Sequence, residues 1–470
     1  MDYYLGYILA ILTSVLTVIK NYIRTVILVW KLPGPPALPL LGNVLIIKNN
    51  EELIYVSTYA SILFGPLIRI WVSLLPVIVI YEPRHLKLIL STNKNNEKGF
   101  FYKALHNFIG PGLITSNGYT WKKNRKLIQP YFHMNVLEKF IEHFVECSHR
   151  FVSKLDGQKT LKITPFINDC ILDVLHNSVL GVPLDLDSPY RKGELQAIER
   201  FIRPWLIFEP IYSWTSSANY EKKQKSSLES YTKQILYDRK KELKNSTKTC
   251  FLDMFIEISE NNDQFTEEDI INETITFMLA GQDSVAGTMA FTLFYLAKEP
   301  EIQDKLIKEM SDYDVNSHIS MKEINQMKYM EQVIKESLRL IPVIPLISRV
   351  ITEDITLDKT VIPAGTNLFV SPFVTHRLEE FYPDPLKFDP DRFEESRVAK
   401  MHPYSYLPFS LGPRNCIGYK FSIIELKILL FYFLKKYVIS LPPGKEEVQI
   451  SYRATIRASG GIWLTLTPRT

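Results

Sequence analysis

Cys416 is the residue of this 470-residue chain with the most evident chemistry. It lies in Phe409-Ser410-Leu411-Gly412-Pro413-Arg414-Asn415-Cys416-Ile417-Gly418, between two glycines and two residues after an arginine. An apolar helical pattern (Ile417, Phe421, Ile424, Ile428) follows directly. A cysteine just ahead of a helix N-terminus has its pKa lowered by the helix dipole and the exposed amides. Gly412 and Gly418 permit a tight turn and a close approach to a flat partner. Such a thiol is a nucleophile, a metal ligand or a small buried apolar group. A nucleophile needs a base, and the nearest histidines along the chain are His402 and His376. Zinc wants several ligands at short spacing, whereas Cys147, Cys170 and Cys250 are isolated. One thiolate is enough for a metal that brings its other ligands with it, and heme iron is such a metal.

Three further groupings carry chemistry at helical spacing. Ala280-Gly281-Gln282-Asp283-Ser284 falls inside the longest helical pattern. Glycine costs about 1 kcal/mol there against alanine, so Gly281 points to something packed on the backbone. Asp283 and Ser284 place an acid and an alcohol beside it, although an exposed charge and a small packing residue would read the same. Glu336 and Arg339, three apart, share one helix face, as many solvated pairs do. Trp121 and Arg125, four apart, also share a face.

Phe409, Gly412, Arg414, Cys416 and Gly418 complete the pattern Phe-x-x-Gly-x-Arg-x-Cys-x-Gly. In this the chain resembles the cytochromes P450, the heme-thiolate monooxygenases, and the resemblance extends over nearly the whole chain. It implies a single-domain cytochrome P450 fold, mainly α with a smaller β region, behind an N-terminal transmembrane helix. It implies a heme b whose iron takes Cys416 as axial ligand, with Phe409 beside it. Where many members of the similar family-4-like microsomal branch, insect enzymes included, carry a glutamate esterified to the heme, this chain has Ala280, so the heme is expected to be non-covalent. By resemblance the long helix passes over the heme and widens at Gly281. Asp283 and Ser284 would relay protons for dioxygen activation. The family's usual threonine is here Ser284, which keeps the hydroxyl and loses the methyl that restrains its rotamer. Trp121 and Arg125 match Trp-x-x-x-Arg and would meet a heme propionate, as would Arg349 and Arg414. Phe388-Asp389-Pro390-Asp391-Arg392-Phe393 resembles Phe-x-Pro-x-Arg-Phe, whose arginine would join Glu336 and Arg339 in a buried structural triad. His376, in Thr375-His376-Arg377, resembles a structural segment and not a metal ligand.

The implied activity is NADPH- and dioxygen-dependent hydroxylation of a lipophilic substrate, such as a fatty acid, sterol, hormone or xenobiotic. The segments Phe100 to Ser116, Glu273 to Phe277, Ile344 to Ile347 and Ser459 to Gly460 would face it. Electrons would come from NADPH through NADPH–cytochrome P450 reductase, with cytochrome b5 a second candidate partner. Lys122, Lys123 and Lys126 could dock an acidic reductase. Two other classes stay open. A heme-thiolate isomerase or dehydratase would work without a reductase, which the presence of Asp283 and Ser284 argues against. A non-enzymatic heme or lipid carrier would have no use for them.

These residues need a large scaffold. The chain is 46% hydrophobic with a net charge of +4, enough for a sizeable core and too mild for a dedicated nucleic-acid binder. Four scattered cysteines suit a reducing compartment. Residues 1–31 read as a membrane anchor: Tyr3 to Ile19 is apolar, Lys20, Arg24 and Lys31 follow, and Val26 to Trp30 is apolar again. About 17 to 25 residues span a bilayer. Positive charge on the C-terminal side predicts a single pass in the endoplasmic reticulum membrane, with the catalytic domain, 32–470, cytosolic. A proline-rich hinge, 32–39, would join the two. Ile68 to Tyr81 predicts a strand pair. Helical spacing recurs from Leu137 to Leu180, interrupted at Pro165, and from Gly193 to Lys244, interrupted at Pro204 and Pro210. Thr266-Glu267-Glu268-Asp269 reads as a capping box opening a helix to about Lys298, and a last helix is predicted from Ile417 to about Tyr437.

Overall fold

The long helix is the beam of the structure. Thr266 accepts from the Asp269 amide and Asp269 accepts from the Thr266 amide, so the helix starts on the predicted box and runs Glu267–Lys298. At about 1.5 Å per residue it spans close to 50 Å. It crosses the main apolar core and packs against helices Thr164–Leu175 and Lys328–Leu340. It stays continuous through Gly281 and does not widen there. The final helix, Tyr419–Lys436, is buried all round from Ile424 to Leu434, as a helix apolar on every face must be.

In this computed structural model of the chain, residues 2–46, 49, 51–192, 203, 206, 209–243, 249–315 and 319–469 are described. The start of the helical reading at Gly193, its interruption at Pro204 and its end at Lys244 lie outside them. The part of that reading within them is helix Ser216–Glu242. Pro165 sits in the first turn of Thr164–Leu175, where its missing N–H leaves no bond unmade. It therefore opens a helix that strand β3 (Thr160–Lys162) separates from helix Ile141–Ser153.

The β part is peripheral. Strands β1 (Leu67–Val72) and β2 (Leu75–Ile80) pair antiparallel around Ser73. The sheet is completed by β4 (Ile347–Val350) and β5 (Asn367–Val370) in the order β1-β2-β5-β4, with β2 and β5 parallel. A hairpin of β6 (Ile450–Arg453) and β7 (Thr455–Ala458) projects inward from the C-terminal end.

Among the described residues one helix, Gly6–Trp30, is long and apolar enough to cross a membrane. Its last turns lie on the folded body. Thr25 and Val29 are buried, the Tyr22 hydroxyl donates to the Leu74 carbonyl, and Arg24 pairs with Asp354. The segment after it is strapped down, because Arg69 donates through its Nε to the Leu32 carbonyl and through its amide to the Pro33 carbonyl. The exposed apolar run is thus the first part of the helix, from Tyr4 to about Ile23.

Candidate active site

The Cys416 loop is a folded-back turn just ahead of the final helix. The Cys416 amide donates to the Phe409 carbonyl at 2.9 Å and the Asn415 amide to the Gly412 carbonyl at 3.0 Å. Gly412 has φ +76°, and a Cβ there would overlap the Leu90 carbonyl oxygen. Ser410 also lies in the left-handed region, at φ +56°. Gly418 is the N-cap of the final helix. This geometry turns Cys416 into a cavity of about 360 Å³, lined mainly by apolar side chains under the long helix. The thiol is open to that cavity and enclosed by protein otherwise.

The expected lowering of the thiol pKa does not hold. Burial pushes the Cys416 thiol up, and the opposing pull of the Gly418 amide and of Arg125 is weaker. The cost of desolvating the thiolate outweighs what the helix terminus returns.

Four cations line the same cavity: Arg125, Arg349, Arg414 and Lys98. None forms a salt bridge among the described residues. Arg125 clamps the loop, donating to the Asn415 carbonyl at 2.9 Å and its side-chain oxygen at 2.8 Å. Arg349 donates to the Ser348 carbonyl. Arg414 sits 4.1 Å over the Trp121 ring and donates to the carbonyls of Asn96, Leu113 and Ser116, so most of its hydrogen bonds brace the neighbouring loop. Burial and then Arg349 lower Arg414 to about 9, and burial with Arg349 and Arg414 holds Lys98 well below its usual range. Clustered buried cations without counter-ions are costly, and a dianionic group on this rim would relieve the cluster. Lys98 escaped the reading of the sequence because its neighbours there carry no pattern.

On the opposite side the long helix presents Ala280, Gly281, Asp283 and Ser284 to the cavity. Gly281 also faces Leu175, whose Cδ2 would lie 2.8 Å from an added Cβ. The Ser284 hydroxyl donates back to the Ala280 carbonyl at 2.7 Å. Asp283 pairs with Arg457 and accepts from the Thr455 hydroxyl at 3.3 Å. Burial raises its pKa, with Arg457 opposing. The expected segments 100–116 and 344–347 supply lining residues such as Phe101, Leu105, Leu113 and Leu346. Two expectations shift. The C-terminal contribution is the hairpin tip, Ala454 and Thr455, and not Ser459 and Gly460. Glu273 points away from the cavity into a bond with the Leu113 amide at 3.0 Å and the Asn124 side chain at 2.8 Å. Glu425, a charged residue inside an apolar helical run, went unread. It lines the cavity fully buried, both its oxygens lack a hydrogen-bond partner among the described residues, and burial holds its pKa well above the usual range.

Behind the loop lies a buried lock. Arg339 donates to Glu336 at 2.7 and 2.9 Å and to the carbonyls of His376, Pro385 and Lys387. Arg392 reaches Glu336 at 3.5 Å, and the Asp389 amide donates to it at 2.8 Å. His376 is buried, its pKa lowered to about 3 chiefly by burial and by Arg339, and its neutral Nε2 accepts from the Leu407 amide at 2.9 Å. Lys123 does not stand free for docking: it pairs with Asp269 at 2.9 Å, whereas Lys122 and Lys126 are exposed.

One thiol and four cations thus face a single, largely apolar cavity beneath the long helix. The family model described as Cytochrome P450 matches residues 32–463. The chain is 44% identical over 470 residues to "Probable cytochrome P450 4aa1" of Drosophila melanogaster, covering 96% of this chain and 92% of the relative. It is 36% identical over 447 residues to "Cytochrome P450 4c21" of Blattella germanica, 89% of each chain. It is 30% identical over 493 residues to "Cytochrome P450 4V2" of Mus musculus, covering 98% and 94%. The chain belongs to the cytochrome P450 family and is an oxidoreductase of its monooxygenase class.

Proposed function

We propose that this chain is a membrane-anchored monooxygenase that hydroxylates a lipophilic substrate with dioxygen and NADPH, drawing electrons through NADPH–cytochrome P450 reductase. The observation that carries the reading is the Cys416 thiol facing a largely apolar cavity whose rim holds Arg125, Arg349, Arg414 and Lys98 without a carboxylate partner among the described residues. These residues fit a b-type heme: Cys416 as iron ligand, the four cations as partners for its two propionates. When bound, the heme supplies dioxygen activation, with the thiolate donating electron density. The chain's own residues do the rest. Arg125 holds the ligand loop, Asp283 and Ser284 hold and pass protons, and Phe101, Leu105 and Leu346 exclude water and orient an apolar substrate. Ala280 offers no carboxyl for an ester, so the heme is held without a covalent bond. The apolar helix with Lys20, Arg24 and Lys31 after it supports a single pass in the endoplasmic reticulum membrane with a cytosolic domain.

The test is the carbon monoxide spectrum of the reduced full chain in detergent. A thiolate-type band that Cys416→Ser abolishes is expected, and purified wild type that takes up no heme refutes the reading. Substrate oxidation that proceeds without NADPH and reductase would favour the isomerase or dehydratase class instead. Denaturing mass spectrometry is expected to release free heme.

A further inference from the structure

The C-terminal hairpin reaches the acid of the long helix. Asp283 has two carboxylate oxygens, and both are held by β7: Oδ1 by the Arg457 guanidinium, Oδ2 by the Thr455 hydroxyl. The groups that act on this carboxyl among the described residues are these two. Glu425 and Cys416 share the cavity with it. The Arg457 side chain is 40% exposed and Asp283 19%, so the pair runs from the outer surface to the cavity wall. The hairpin is itself well placed to respond to what fills the cavity. Its tip, Ala454 at φ +67° and Thr455, lines the chamber, and the Ile456 amide donates to the Val343 carbonyl at 2.8 Å.

We propose that Arg457 and Thr455 are positioning residues for proton delivery, holding Asp283 at the outer end of a relay whose inner end is Ser284. The proposal rests on the monooxygenase reading above. As long as Asp283 is ionised it stays on Arg457. Taking one proton from solvent removes its charge, weakens the pair and frees the carboxyl to turn inward. It then gives that proton to the Ser284 oxygen while the hydroxyl's own proton moves on into the chamber, so one proton crosses and the carboxylate returns to Arg457. Because the hairpin tip also walls the chamber, a substrate seated against Ala454 and Thr455 bears on the element that holds the acid.

The experiment uses full-length, heme-loaded wild type, Arg457→Gln, Arg457→Lys, Thr455→Val and Asp283→Asn with reductase, NADPH and dodecanoic acid as a lipophilic probe. The readouts are the peroxide released per NADPH across pH and, without turnover, the infrared carboxyl band that Asp283→Asn removes. Losing the arginine leaves burial opposed only by the Thr455 hydroxyl, so in Arg457→Gln the band titrates at higher pH than in wild type. Its peroxide fraction rises and follows the same shift, Arg457→Lys restores both, and Thr455→Val gives a smaller change in the same direction. Arg457→Gln and Thr455→Val with an unchanged band and unchanged peroxide fraction would overturn the proposal. The carbon monoxide band of each variant separates this outcome from failure of the heme-thiolate reading, because a chain without that band fails the earlier test and not this one.

Discussion

Arg339→Ala removes the most connected side chain behind the cysteine loop. Five hydrogen bonds go: two to Glu336 and one each to the carbonyls of His376, Pro385 and Lys387. Glu336 stays fully buried with the Asp389 amide and a 3.5 Å contact to Arg392. Breaking a buried ion pair by removing one partner costs about 3–5 kcal/mol. At about 4 kcal/mol the ratio of folded to unfolded chain falls nearly a thousandfold, a large share of the 5–15 kcal/mol typical of a domain. The damage has a route to the site. The His376 carbonyl loses its donor, the His376 ring holds the Leu407 amide, the Leu407 carbonyl holds Ser410, and the Phe409 carbonyl holds Cys416. Urea denaturation in detergent, followed by helix signal, measures the stability, and heme per chain measures the loop. Lys122→Ala on the exposed surface is the control, expected within about 0.5 kcal/mol of wild type. Arg339→Lys is expected to rescue poorly, because an ammonium cannot span five acceptors in fixed fork geometry. An Arg339→Ala chain within about 1 kcal/mol of wild type and with full heme would refute the lock.

Gly412→Ala should abolish stable heme binding, since the left-handed φ and the Leu90 carbonyl both refuse a Cβ; heme per purified chain reads it. Glu273 carries a pH term. Burial raises it from 4.5 to about 7 in the folded chain, so the native state holds the proton more tightly. Its stabilisation is complete below the unfolded value and is lost as pH rises toward 7, by up to about 3 kcal/mol. Denaturation of Glu273→Gln should lack that decline; an identical pH dependence would contradict it. Lys122→Glu with Lys126→Glu should slow reduction by the reductase several-fold at low salt, an effect that salt screens. Lys123→Glu should lower stability instead, because it sets a like charge against Asp269.

What could be read along the chain was whatever is local. The Phe409–Gly418 pattern, the Thr266 capping box, the strand pair around Ser73 and the i, i+3 pair Glu336–Arg339 depend on spacing within a few residues, so backbone geometry expresses them wherever they lie. The apolar first helix is legible for the same reason. Partners distant in sequence were not. Lys98 joins the cavity rim, Arg457 meets Asp283 across 174 residues, and Lys123 is claimed by Asp269. The sign of a pKa shift lay equally out of reach. A helix N-terminus predicted a lowered Cys416, and burial raised it, because desolvation depends on everything packed around the atom and not on its neighbours in sequence. Composition and motif spacing thus determined the family and the ligand loop; only the tertiary structure decided which charges share a cavity, which are already paired, and which acid is held by the hairpin, since those outcomes are set by long-range packing and the dry interior it creates.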